Sequence, residues 1–208
     1  DDSAAFGDRA QSTGFHSSAI GGQANASGAG AQSFGWKANA TGAQSVAVGN
    51  QTQATGLNAT SVGNGAQASG VNAASFGFGA RATQQSTTAL GNLANATGAN
   101  ATAVGTGAQA TQLNATALGN QAQATQNNAT AVGQAAVANF AGSTAIGQGA
   151  QTTAANQVAV GGRGSAVRIG DVDASTAAQD SASTRFATID ANGVLGRSAF
   201  ALQDISNL

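Results

Sequence analysis

The 208-residue chain has no cysteine, no methionine, no proline and no tyrosine, and all eight of its acidic residues are aspartates. Without thiols, disulfides, thiolate zinc sites and cysteine catalysis are excluded. One histidine, His16, leaves general acid–base chemistry almost nothing to work with. Large apolar residues are scarce as well: Val, Ile, Leu and Phe number 33, against 52 alanines. So few large groups ordinarily mark disorder, but disorder also calls for high net charge. Here Lys and Arg number 7, Asp and Glu 8, and the net charge is −1. Proline, the commonest residue of disordered linkers, is missing. Such a chain is ordered by something other than a globular core, which leaves repetition. No apolar run approaches the length of a membrane-spanning helix, and no signal peptide opens the chain. It therefore reads as a fragment, with any secretion or anchoring segment outside it.

What is present is a period. A small residue, a large apolar residue and a glycine recur with the glycine at 7, 21, 35, 49, 63, 77, 91, 105, 119, 133, 147 and 161, always 14 apart. The residue before the glycine is always large and apolar, and Val48, Val62, Phe76, Leu90, Val104, Leu118, Val132 and Ile146 form the middle of that column. The residue before that is Ala nine times and Ser three times. Alanine returns three and five residues after the glycine, ten times in twelve at each position. Nine residues after it Asn is favoured, as at Asn58, Asn72, Asn100, Asn114 and Asn128. A fixed period of this kind is the mark of a solenoid.

One unit can be read off residues 100–112. Ala101 and Ala103 alternate with Thr102 and Val104, a period of two and therefore a strand. Gly105 to Gly107 make a turn, and Ala108 to Thr111 alternate again. A second turn at the Asn site closes the unit, because Gly and Asn tolerate positive φ. The glycines Gly49, Gly63, Gly77, Gly91, Gly105, Gly119, Gly133 and Gly147 are assigned as structural turns. Glycine pairs and frequent Thr and Asn oppose a helix. The fold class is thus all-β, a parallel roll of twelve 14-residue coils. Each strand should pair with its copy in the next coil, with Thr and Asn/Gln columns able to hydrogen-bond along the stack. At about 4.8 Å per coil, the expected rod is about 55 Å long.

Two faces of the unit have the character of buried surface, the large apolar column and the strictly small one. The large column is expected to be core, a dry seam of Val-sized groups. One of the two faces should pack inside the roll and the other against neighbouring chains, since so thin a core does not suffice alone. A closed ring of identical chains would hide the second face, and arithmetic leaves its number open.

Composition changes near residue 170. From Arg9 to Arg168 there is no acidic residue, and Arg9, Lys37, Arg81, Arg163 and Arg168 supply five positive charges. Beyond 170, Asp171, Asp173, Asp180, Asp190 and Asp204 outweigh Arg185 and Arg197. The domains are therefore 1–168, the roll, and 169–208, a short mixed connector. Within the connector, 185–197 reads as a β-hairpin around Ala191-Asn192-Gly193. Residues 198–208, with Phe200, Leu202, Ile205 and Leu208 at near-helical spacing, are expected to start a stalk helix, and 171–183 shows no periodicity.

Chemistry finds little purchase. His16 falls where Asn is favoured and reads as a polar turn residue. Gly77-Phe78-Gly79 resembles a phosphate loop only superficially, since it precedes no helix and no Gly-Lys-Ser. Calcium-binding repeats need aspartate in each turn, and the roll has none after Asp8. Neither a cofactor nor a metal is expected, and no enzymatic activity. The basic residues are too thinly spread for a nucleic-acid stripe. Trp36 and Lys37 sit together on one turn, with Phe78 at the Trp36 position three coils later and Arg81 beyond it. Exposed aromatics beside cations are common contact residues, so these four are the candidate ligand contacts; the competing role is to cover gaps at a seam between chains.

The units Gln44-Ser45-Val46-Ala47-Val48-Gly49, Ser143-Thr144-Ala145-Ile146-Gly147 and Asn156-Gln157-Val158-Ala159-Val160-Gly161 resemble the S-V-A-I-G repeat of YadA-like heads of trimeric autotransporter adhesins, over residues 1 to about 168. The resemblance implies a left-handed parallel β-roll and a homotrimer, with two identical chains as partners. It further implies a coiled-coil stalk and an outer-membrane anchor C-terminal to this fragment, on the cell surface of a Gram-negative bacterium. After Gly161 the pattern departs from the family's, and Val167 to Asp173 stands where a neck would be. The implied function is adhesion to a host matrix protein or an acidic glycan through many weak contacts. The alternative is a spacer or autoaggregation module presenting another domain. Ice binding would need Thr-x-Thr columns that are not kept, and a hexapeptide acyltransferase would need a unit of six.

Overall fold

A computed structural model describes residues 2–167, 185–191 and 195–201. The expectations for Arg168, for 171–183, for the Asn192-Gly193 turn and for 202–208 lie outside the described residues. The chain divides into two compact units, Asp1–Ala166 and Val167–Leu208.

The first unit is a two-sheet parallel solenoid. Its twelve-stranded sheet runs from Ala4–Phe6 to Val158–Val160, and its ten-stranded sheet from Gln11–Ser12 to Val137–Ala138. Every strand pairs in parallel with its counterpart in the next coil. Thr102 faces Thr116, Ala103 faces Ala117 and Val104 faces Leu118, while Gln109 faces Gln123 in the other sheet. Two turns close each coil. At one, a glycine of the Gly105 column, with φ +128, precedes a left-handed residue such as Gly107 at φ +66. At the other, Asn58, Asn100, Asn114 and Asn128 hold φ values of 55 to 57. Asparagine suits that conformation because its short amide can bond locally.

The Asn column also bonds along the stack, as expected. Asn100 Nδ2 donates to Asn114 Oδ1 at 3.1 Å, and Asn114 Nδ2 donates to Asn128 Oδ1 at 3.0 Å. The Thr column does not. Among the described residues, the hydroxyls of Thr102, Thr116 and Thr130 have no hydrogen-bond partner, and Val46 and Val158 stand in the same column.

The interior corrects the sequence expectation. Ala101, Ala103, Ala108 and Ala110 are all fully buried, and the same four columns continue through the stack. The largest fully buried side chains are Thr52 and Thr87, followed by serines. Each coil closes so tightly that the two sheets meet almost entirely across methyl and hydroxymethyl groups, with Thr52 and Thr87 the largest side chains fully enclosed. The small column marks close approach of another backbone, and that backbone belongs to the facing sheet of the same chain. Hence the large apolar column lies outside the roll. Leu90 and Ile146 are 47% and 42% exposed, Phe76 and Leu118 are also exposed, and Val48, Val62, Val104 and Val132 are half-buried. With the half-buried Thr column beside it, this makes an apolar outer face along the twelve-stranded sheet.

Buried hydroxyls find partners inside. Ser61 and Ser75 share a 2.7 Å hydrogen bond between adjacent coils, and Ser33 donates to the Ala38 carbonyl at 2.7 Å. Thr52 donates to the carbonyl of Gly63. Ser45 is buried without one.

In the second unit, Arg185–Ile189 pairs antiparallel with Leu195–Ala201, with Ile189 opposite Leu195 and Arg185 opposite Ala201. Ser198 to Ala201 are therefore strand, where the apolar spacing led us to expect the start of a helix. Pairing with a neighbouring strand satisfies backbone groups that a helix this short would leave open, and it overrides the spacing.

Candidate functional site

Outward-facing positions of the short-strand sheet fall four residues after each repeat glycine. In register they bring together Asn39, Gln53, Gln67 and Arg81. The alternation that buries Ala40, Ala54, Ala68 and Ala82 sends these polar neighbours outward. Beside this row lies a shallow depression of about 440 Å³, lined by Lys37, Asn39, Gln51, Gln53, Gly65 and Gln67. Lys37 stands at one end, and Arg81 lies one coil past Gln67 at the other. Amide side chains, each with donor and acceptor, fill the interval between two cations.

Aromatic groups edge the same strip. Trp36 is 43% exposed, and the Lys37 ammonium sits 4.3 Å from the centroid of its ring. That cation–π contact holds both side chains at the surface. Trp36 rests over Gly22 of the preceding coil, where a Cβ would come within 3.3 Å of its ring. Phe78 is 56% exposed. It occupies the same turn column three coils on, roughly 14 Å away at the strand spacing. Leu93, which the sequence pattern does not single out, adjoins it; its N–H donates to the Phe78 carbonyl at 2.8 Å and its side chain is also exposed. The lining amides are missed by the pattern too. Their signal is the outward phase of the second strand, legible once Ala110-type positions are known to be interior.

His16 lies elsewhere. Its ring stacks on Phe15 at 3.8 Å, and its Nε2 is 3.4 Å from an Asp2 carboxylate oxygen. Among the described residues no three His, Cys, Asp or Glu side chains gather into a metal-binding group. The surface supports non-covalent recognition of a partner with anionic and hydroxyl groups, since from Arg9 to Arg163 no carboxylate opposes it.

No curated protein matches the chain. Among solved structures, the chain is similar to the collagen-binding domain of the Yersinia adhesin YadA, at 22% identity, covering 99% of this chain and 87% of that one with a TM-score of 0.46. The family model of the YadA head domain repeat matches residues 12–31, 33–52, 54–80, 82–108, 110–136, 124–150 and 141–163. These stretches take in nearly every coil whose Ala interior and Gly and Asn turns are described above, and well over half of the chain, which therefore belongs to the YadA head domain family of trimeric autotransporter adhesins.

Proposed function

We propose that this chain is the head of a homotrimeric surface adhesin and that it attaches a Gram-negative cell to host matrix protein or acidic glycan. The observation that carries the binding half is the strip itself, Lys37 and Arg81 bracketing Asn39, Gln53 and Gln67, with exposed Trp36 and Phe78 along one edge. Each contact is weak, and three copies on a rigid scaffold would engage a repetitive ligand together, so attachment would rest on avidity. The observation supporting assembly is the apolar outer face of the long sheet. This run of Val, Leu, Ile and Phe exceeds the scattered apolar exposure of a monomer. Two further copies of the same face, arranged about a threefold axis, would cover it.

Adhesion is tested with immobilised collagen, fibronectin and sulfated or sialylated glycans. Replacing Trp36 and Lys37 with Ala should weaken binding at least about tenfold, or about 1.4 kcal/mol, with oligomeric state unchanged. Adding salt should weaken the wild type more than the variant, because the removed ammonium is a screened charge. Wild-type binding that the double substitution leaves intact would move the contact surface elsewhere, and no binding to any such surface would favour the spacer role.

A further inference from the structure

Eight Asn-x-Ser/Thr triplets occur in the roll, beginning at Asn25, Asn39, Asn50, Asn58, Asn95, Asn100, Asn114 and Asn128. This triplet is the acceptor signal for N-linked glycosylation when the asparagine lies at a surface. The fold sorts the eight. Asn25, Asn39 and Asn95 are half-buried on strands. Asn50 is exposed, but the Thr52 hydroxyl that completes its triplet is buried and donates to the Gly63 carbonyl. Asn58, Asn100, Asn114 and Asn128 are exposed at the closing turn of their coils, each followed by a half-buried threonine whose hydroxyl has no partner among the described residues.

The amide ladder then separates these four. Asn58, Asn100 and Asn114 each donate Nδ2 to the asparagine of the next coil. Asn128 accepts from Asn114 through Oδ1, and its own Nδ2 has no hydrogen-bond partner among the described residues. The next residue in its column is Gly142, which presents no side chain. An amide whose oxygen faces the preceding coil carries its nitrogen on the opposite edge, toward Gly142, over which the Asn156 amide oxygen leans from the coil beyond. Thr130 has no structural need of its hydroxyl, since Val46 and Val158 fill the same column in other coils.

We propose that Asn128 is an N-glycosylation site. Nδ2 would attack the anomeric carbon of a glycosyl phosphate donor. A C–N bond forms, the C–O bond to phosphate breaks, the phosphate leaves with the electron pair, and Nδ2 gives up one proton. The product keeps Oδ1 as acceptor, so the bond from Asn114 survives. Coils about 4.8 Å apart leave no space for sugars on adjacent ladder asparagines, so the free end of the run is the favoured acceptor.

The test is peptide mapping by mass spectrometry, with fragmentation that preserves the glycan, on the full-length protein taken from the surface of the bacterium that makes it. Asn128 is expected to carry sugar. The added mass reads the donor, one hexose for a nucleotide sugar and an oligosaccharide for a lipid-linked one. Thr130→Val should lower occupancy at Asn128 at least about tenfold without lowering the melting temperature, since Val46 and Val158 fill the same column. Asn128→Gln should abolish it, a change the turn accepts because Gln44 holds φ +57 in the same column. Bare Asn128 in the wild type, or equal occupancy in Thr130→Val, would overturn the assignment.

Discussion

A glycine in this roll matters for one of two separable reasons. In the Gly105 column, φ is +128 and a Cβ would lie 2.5 Å from the Gly119 carbonyl oxygen. In the Gly65 position, φ is +64 and a Cβ would meet nothing within 4 Å, and Lys37, Gln51 and Leu93 hold similar angles in that column. Gly105→Ala should therefore destabilise the protein by about 3 kcal/mol or more, strain and collision together. Gly65→Ala should cost only about 1 kcal/mol. Thermal melts of the two variants check this, and similar losses would show that the turn backbone relaxes freely. The placement of glycine was legible in the sequence. Which glycines are crowded was not, because crowding is set by the carbonyl of the next coil, a contact made across one full period.

At the scale of a strand, alternation decides what each substitution touches. Val104 and Ala103 are neighbours in Thr102–Val104, yet one is half-buried outside and the other fully buried inside. Reading the large column as interior predicts that Val104→Asp breaks the coil. The structure shifts that damage to whatever covers the outer face. Val104→Asp should leave β-content intact while weakening the proposed trimer by about 3 kcal/mol or more per chain, since among the described residues no cation stands in the columns of that sheet to pair a desolvated carboxylate. Ala103→Asp should instead break its own coil and the two it pairs with, lowering β-content. Gln109 is exposed on the opposite sheet. Gln109→Asp should therefore change stability by about 0.5 kcal/mol at most. Circular dichroism and sedimentation together distinguish these outcomes; a Val104→Asp variant with lost β-structure would restore the interior reading of that column.

Over the whole molecule, stability accumulates coil by coil because each unit touches only its neighbours. The interior offers mostly methyl groups, worth about 0.8 kcal/mol per buried carbon, with a few serine and threonine hydroxyls, so burial of the outer apolar face in the proposed trimer would be the larger resource. The purified protein should accordingly sediment as a trimer, and dilution toward monomer should lower its melting temperature. A monodisperse, heat-stable monomer would contradict both the assembly and the energetic role assigned to Leu90, Val104 and Leu118.

Period, strand phase and the two turns of each coil were written in the chain, because glycine at positive φ, asparagine in the left-handed region and alternating alanine are local requirements. The direction in which each face points was not. Small and large columns both look buried along the sequence, and their assignment depends on the distance between two sheets closed within a single short coil. The strip from Lys37 to Arg81 has the same origin: its ends lie three coils apart in the chain and become neighbours of one surface only because parallel register stacks Asn39, Gln53, Gln67 and Arg81 in one row. Ser198 to Ala201, where apolar spacing suggested the start of a helix, likewise lie in a strand paired with Arg185–Ile189, since a hydrogen-bonded partner outweighs local spacing.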